Sequence, residues 1–185
     1  MCTGGCMQKV LVVIDMQNDF VDGALGSTQA QMIVDNVRKK IENFDGPIIF
    51  TRDTHGIDYL ERQEGKMLPV PHCVKNTEGW HIVKDLIEAA ESRPIMSPVS
   101  FVDKPNFGSF ELLSRLEGMN SINPIESITL VGLCTDICVV SNAIILKAGL
   151  PEVPIHVDSD CCAGVTEETH QAALTTMKMC QCIID

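Results

Sequence analysis

Val10-Leu-Val-Val-Ile14 is five apolar residues in a row with a carboxylate, Asp15, directly behind them. A strand with one wet face alternates apolar and polar residues, so an unbroken run belongs to a strand covered on both faces, as in a parallel sheet between helices. Ile48-Ile-Phe-Thr51 repeats the pattern ahead of Asp53-Thr-His55, and residues 128–133 repeat it ahead of Cys134-Thr-Asp-Ile-Cys138. Between the first two runs, residues 28–44 carry Ile33, Val37 and Ile41 four apart, the spacing of one helix face, until Asp45-Gly-Pro47 stops it. Strand, helix, strand with a polar group at each exit is the pattern of a right-handed crossover that gathers those exits at one sheet edge.

The remaining chain continues this alternation. Residues 56–80 are rich in charge, Gly and Pro and read as an active-site loop, and residues 81–91 read as a helix. Ile95–Val102 is a third strand, with Pro98 marking an edge or bend, followed by Asp103-Lys-Pro-Asn-Phe-Gly-Ser-Phe110 and a helix near 109–117. After a connection over 118–127 come the strand at 128–133, a helix at 137–148, a short strand Ile155–Asp158, a helix Glu167–Cys180 and an edge strand Cys182–Ile184. The expected architecture is one α/β domain over residues 1–185: three α-β-α layers around a mostly parallel sheet of about six strands.

A formal charge of -11 argues against a nucleic-acid surface, which needs basic patches. No apolar run approaches the about 18 residues a membrane span needs, and no signal segment opens the sequence, so a cytoplasmic chain without a membrane partner is expected. Nine cysteines are an odd number in a chain large enough to fold without staples, which favours free thiols. The spacings of Cys2, Cys6, Cys180 and Cys182 do not match the usual close pairs of a zinc site joining the termini; the vicinal Cys161-Cys162 pair is a candidate redox bond.

Three exits carry different reactive groups: Asp15, Lys104 and Cys138. Cys138 falls in the first turn of a helix, where unpaired N–H groups and the dipole favour an anion, so it is the cysteine best placed to be a thiolate. Asp15 can take a thiol proton and return it to a leaving amine, with Lys104 favouring the charged states beside it. Taken singly, Cys138 and Cys134 also fit buried core thiols, Asp15 a helix cap and Lys104 a solvated lysine. The backbone amides of Cys134 and Cys138 are candidates for an oxyanion hole. Asp53, His55 and His72 offer one carboxylate and two imidazoles, a set that suits Zn, Fe or Mn, with Glu64 as an additional candidate beside its competitor Glu61. Loop packing is the alternative for both histidines. Phe20 is a candidate to stack on an aromatic substrate, with ordinary wall packing as the alternative; Phe107 and Phe110 are candidates to cover the pocket or anchor the next helix, and Trp80 is either a loop anchor or a substrate contact. His81, His156 and His170 read as packing or surface residues.

Together these segments resemble the isochorismatase-like cysteine hydrolases, nearest the nicotinamidase/pyrazinamidase branch. The resemblance is carried by Val12-Val-Ile-Asp-Met-Gln-Asn-Asp-Phe20, Thr51-Arg-Asp-Thr-His55, Pro71-His-Cys-Val-Lys-Asn-Thr-Glu-Gly79, Lys104 with Phe107-Gly-Ser-Phe110, and Gly132-Leu-Cys-Thr-Asp-Ile-Cys-Val139, in that order over residues 8 to about 180. It implies that Asp15, Lys104 and Cys138 form a catalytic triad acting through a Cys138 thioester, with a peptide bond before Cys134 that is cis and an oxyanion hole at Cys134 and Cys138. It implies metal ligands at Asp53, His55 and His72, an acidic contribution from Glu64, a divalent metal with zinc foremost that grips a pyridine nitrogen, and ring stacking by Phe20. Its substrate would be a small amide, nicotinamide foremost, and its assembly a homo-dimer or homo-tetramer. Three positions depart from the family pattern. Leu68-Pro-Val-Pro71 stands where a large aromatic often precedes the second metal histidine, leaving Trp80 or Phe107 to replace that wall; Asn76 stands where Gly is frequent, and Cys134 where Ala is usual. The alternatives are hydrolysis of another small amide, ureide or carbamoyl compound, and a non-enzymatic metal-binding or thiol-switch protein.

Overall fold

The computed structural model describes residues 7–93 and 98–185. Six strands form one sheet in the order β3-β2-β1-β4-β5-β6, every neighbouring pair parallel. They are β1 (Gln8–Ile14), β2 (Ile48–Asp53), β3 (Val99–Lys104), β4 (Ile125–Leu133), β5 (Ile155–Ala163) and β6 (Ile183–Ile184). The helices are α1 (Asn18–Val21), α2 (Thr28–Asn43), α3 (Gln63–Met67), α4 (Lys84–Glu91), α5 (Phe110–Ile122), α6 (Val140–Gly149) and α7 (Glu167–Met179). The chain runs outward from β1 through β2 to β3, then crosses back to lay β4 on the other side of β1. That reversal makes the carboxyl ends of β1 and β4 a topological switch point, the crevice where open α/β sheets hold ligands.

The apolar run in β1 is unbroken because each face of the strand has its own core. Leu11 and Val13 pack with Ile33, Val37 and Ile41 of α2 and Leu86 of α4; Val10, Val12 and Ile14 pack with Leu112 and Leu116 of α5, Leu146 of α6 and Met177 of α7. All five strand residues are fully buried. At roughly 1.5–3 kcal/mol for each large aliphatic side chain removed from water, both faces stabilise the sheet, and a polar residue anywhere in the run would forfeit that burial. Side-chain caps set the helix starts: Ser27 accepts from Ala30 N, Ser109 from Leu112 N and Thr166 from Thr169 N, the last in a reciprocal capping box.

Several boundaries differ from the sequence expectation. The helix expected over 81–91 begins at Lys84, and the one near 109–117 runs on to Ile122, consuming half of the expected connection. The third strand starts at Val99; of the range expected for it, residues 95–97 lie outside the described residues, and Pro98 precedes the strand, its carbonyl accepting from Ile48 N. β5 extends to Ala163, past an irregularity in its pairing with β4 that hides the second half behind polar residues 158–160. The 56–80 segment contains short helical turns at Tyr59–Glu61, Gln63–Met67 and Glu78–Trp80. Among the described residues no helix is long and apolar enough to cross a membrane.

Candidate active site

Gly132 brings the two central exits together. It pairs with Ile14 and has φ +117°, and a Cβ there would lie 2.0 Å from the Ile14 carbonyl oxygen, so only glycine lets β4 run this close to the end of β1. After Leu133 the chain passes a cis peptide to Cys134, as the resemblance implies, and turns through a π-helical turn, Thr135–Val139, before α6. The helix expected over 137–148 is thus two structures. The wide turn is closed by Val139 N donating to the Cys134 carbonyl at 3.0 Å, and it carries Cys138 to the site.

Asp15, Lys104 and Cys138 converge there, each at most 4% exposed. Lys104 Nζ lies 2.6 Å from Asp15 Oδ2, 3.4 Å from Cys138 Sγ and 3.6 Å from Asp53 Oδ1, and donates to the Asn106 carbonyl at 3.0 Å. Burial opposes its charge, but Asp15, Cys138 and Asp53 outweigh that and hold the ammonium above the ordinary lysine range. Burial raises the Asp15 carboxyl, against the opposing pull of Lys104. Burial, followed by the Asp15 charge, pushes the Cys138 thiol well up. The helix start that favours a thiolate is therefore opposed by the loss of water and by an adjacent carboxylate. The capping and solvated-lysine alternatives for Asp15 and Lys104 also fall away in this geometry.

Asp53, His55, Glu64 and His72 form a second cluster, one ligand atom from each lying within 4.8 Å of the others. His55 Nε2 is 2.9 Å and His72 Nε2 3.5 Å from Asp53 Oδ2, while Glu64 Oε1 is 3.6 Å and 3.7 Å from the same two nitrogens. His72 Nδ1 donates to the Val70 carbonyl at 2.8 Å, which fixes the ring with Nε2 turned toward the cluster. Asp53 Oδ1 is buried with no hydrogen-bond partner. Two imidazoles, two carboxylates and an orphaned carboxylate oxygen fit a divalent metal. Burial raises the Asp53 carboxyl, but hydrogen bonds with both imidazoles and the charge of Lys104 hold it well below the carboxylate range. Glu61 is exposed and has no place in the cluster.

The aromatic residues divide differently from expectation. Phe20, half-buried, has its ring 5.4 Å from that of His72. Phe107 and Phe110 are exposed. Trp80 does not supply the missing wall: its ring nitrogen donates to Thr54 Oγ1 at 2.8 Å and the Arg52 guanidinium lies 4.0 Å over its face, which makes it a loop anchor. Sequence reasoning missed Tyr59, buried with its ring 4.7 Å from His55 and 5.0 Å from His72 and its hydroxyl donating to the Leu68 carbonyl at 2.9 Å. It also missed Gln17, whose amide joins Asp53 N, Asp53 O and Trp80 O, and Asn142, which ties the Cys138 and Phe107 carbonyls to Ser109 N. Position after a strand exit was the available signal for Gln17; for the others there was none.

His170 is buried rather than on the surface, its Nδ1 2.8 Å from Thr135 Oγ1. His156 faces Asp185 at 3.0 Å. Cys161 and Cys162 are free thiols, as are Cys180 and Cys182; Cys2 and Cys6 lie outside the described residues.

Comparison with known proteins bears on this arrangement. The model of the isochorismatase domain matches residues 9–185. The uncharacterized isochorismatase family protein PncA of Bacillus subtilis (strain 168) is 30% identical, over 91% of this chain and 93% of that protein. Among solved structures, the nicotinamidase/pyrazinamidase PncA from Bacillus subtilis superposes with a TM-score of 0.81 at 28% identity, over 96% of this chain and 99% of that one. The pyrazinamidase of Pyrococcus horikoshii in complex with zinc does so with a TM-score of 0.75 at 25% identity, over 96% and 98%. With the family match spanning nearly the whole sheet and both clusters of side chains, the chain belongs to the isochorismatase family, near its nicotinamidase branch.

Proposed function

We propose that this chain, a hydrolase acting on amide C–N bonds, is a nicotinamidase that converts nicotinamide and water to nicotinate and ammonia. The observation that carries the reading is the adjacency of the two clusters: a thiol, a carboxylate and an ammonium in mutual contact, joined through Lys104 and Asp53 to a set of metal-type ligands. Relatives named as nicotinamidases and pyrazinamidases support the substrate class, and a solved relative in complex with zinc supports zinc, ahead of iron or manganese, for Asp53, His55, His72 and Glu64. An ion held by these residues would supply a Lewis acid for the pyridine nitrogen.

The chain's own residues do the rest. Asp15 takes the Cys138 proton as the sulfur attacks the amide carbon, and the carbonyl electron pair moves to oxygen, toward the backbone amides of Cys134 and Cys138. The pair returns, the C–N bond breaks, and Asp15 delivers its proton to the departing ammonia. Asp15 then deprotonates the water whose oxygen attacks the thioester carbon, the C–S bond breaks, and Asp15 returns that proton to the Cys138 sulfur. Lys104 favours the charged carboxylate each time Asp15 has given up its proton, and Phe20 offers a face for the ring, with Phe107 at the rim. Residence in the cytoplasm and assembly as a homo-dimer or homo-tetramer belong to the same proposal.

Leu68-Pro-Val-Pro71, which contains no aromatic, favours a second reading: another small amide, ureide or carbamoyl compound. Ammonia release from nicotinamide by purified, zinc-loaded protein tests the first. It should fall by about a thousandfold or more in Cys138→Ala and drop on chelation of the metal. Absence of turnover with nicotinamide, alongside turnover of a carbamoyl or ureide compound, would replace the first reading with the second.

A further inference from the structure

Thr51 is fully buried in β2 and has no role in the chemistry above. Its hydroxyl meets Asp15 twice: Asp15 N donates to Thr51 Oγ1 at 3.2 Å, and Thr51 Oγ1 donates to Asp15 Oδ1 at 2.7 Å. A hydroxyl has one proton, and a backbone N–H can only donate, so the proton of Thr51 is committed to Oδ1. The other oxygen, Oδ2, faces Lys104 Nζ at 2.6 Å, and the same Nζ lies 3.4 Å from Cys138 Sγ. Asp15 also has φ +48°, a backbone region that non-glycine residues seldom occupy, and the Thr51 hydroxyl holds both its N–H and its side chain.

We infer that Thr51 is the positioning residue of the proton acceptor, dividing the two oxygens of Asp15 so that Oδ1 is an anchored acceptor and Oδ2 alone exchanges protons with Cys138. This rests on the reading of Asp15 as the general base. In the first transfer the S–H bond breaks, its electron pair becomes the S–C bond and the proton forms an O–H bond at Oδ2. In the second that O–H bond breaks as the C–N electron pair takes its proton. A carboxylate free to rotate would present either oxygen to the thiol, and one fixed through Oδ1 presents the same oxygen at each turnover.

The test is kinetics of zinc-loaded Thr51→Val and Thr51→Ser with nicotinamide, together with metal content, thermal unfolding and a crystal structure of the valine variant. Losing a hydrogen bond to a charged group should lower kcat of Thr51→Val by about 10- to 100-fold. KM should stay within about twofold and metal content should be unchanged, while Thr51→Ser should recover kcat to within about threefold of wild type. The structure should show the Asp15 carboxylate turned from its wild-type orientation. Wild-type kcat in a folded Thr51→Val, or an unmoved Asp15, overturns the inference. Thr51→Ala takes the place of the valine variant if the latter does not fold. If wild-type protein leaves nicotinamide intact, the substrate reading fails, and the Asp15 geometry of the variant still decides the role of Thr51.

Discussion

Lys104 is an ammonium at 1% exposure, enclosed by Asp15, Asp53 and the Cys138 sulfur. Its charge is tolerated only because the carboxylates repay its desolvation, so removing either side strands the other. Lys104→Met should destabilise the fold by about 3–5 kcal/mol in urea unfolding, because it leaves Asp15 buried without its cation. The double variant Asp15→Asn/Lys104→Met should recover most of that loss, and a single variant as stable as wild type would show that the pair bears no such load. Asp15, Lys104 and Cys138 were each visible as polar residues beyond apolar runs. The upward push on the Cys138 thiol was not, because it depends on the exclusion of water by packed layers and on Asp15, 123 positions away in the chain.

At the scale of elements, the switch point and the π-helical turn after β4 set the geometry. Gly132→Ala would force a Cβ to 2.0 Å from the Ile14 carbonyl oxygen in a strand conformation of φ +117°. A loss of about 3 kcal/mol or more is expected, read as a lowered urea midpoint, and any surviving folded protein should be slow in turnover because the β1 and β4 exits separate. An alanine variant with unchanged midpoint and turnover would mean the strands can part without cost. The helices and strands were legible where burial demands a repeating pattern over many residues, as in β1 and α2. They were not legible where the pattern breaks, as in the polar middle of β5, or where the backbone leaves regular geometry, as at Thr135–Val139. The loop over 56–80 showed its candidate metal ligands Glu64 and His72 by residue type, yet Tyr59 beside them was hidden, since an isolated aromatic in a charged loop carries no period.

At the scale of the whole molecule, every cysteine among the described residues is a free thiol, and six of the seven are at least half-buried. Burial, with Asp136 next, pushes Cys134 up to about 12; burial, with Asp158 next, does the same for Cys161. An unfolded thiol ionises near 8.5, so these folded-state values are raised above the unfolded ones. The stability they contribute is fully present below pH ~8.5 and is lost as pH rises toward about 12, because the unfolded state releases its protons first. The urea midpoint should therefore fall between pH 7 and pH 9.5, and an equal or higher midpoint at pH 9.5 would contradict it. Residues 1–185, taken as a single domain, should unfold in one transition by fluorescence and circular dichroism alike; two separated transitions would divide the chain.

The apolar runs were sufficient to specify a parallel sheet covered on both faces, because a doubly buried strand must be apolar along its length and each run is local in the chain. They also located the exits, since a polar group can stand only where the buried strand ends. Which atoms meet at those exits was left to the packing. The Thr51 contact with Asp15 spans 36 positions, the Tyr59 ring faces histidines on two separate segments, and the upward push on the Cys138 thiol comes from burial and from carboxylates at two other strand exits. Contacts of that kind depend on distance in space and on the absence of water, and neither quantity is carried by the order of residues alone.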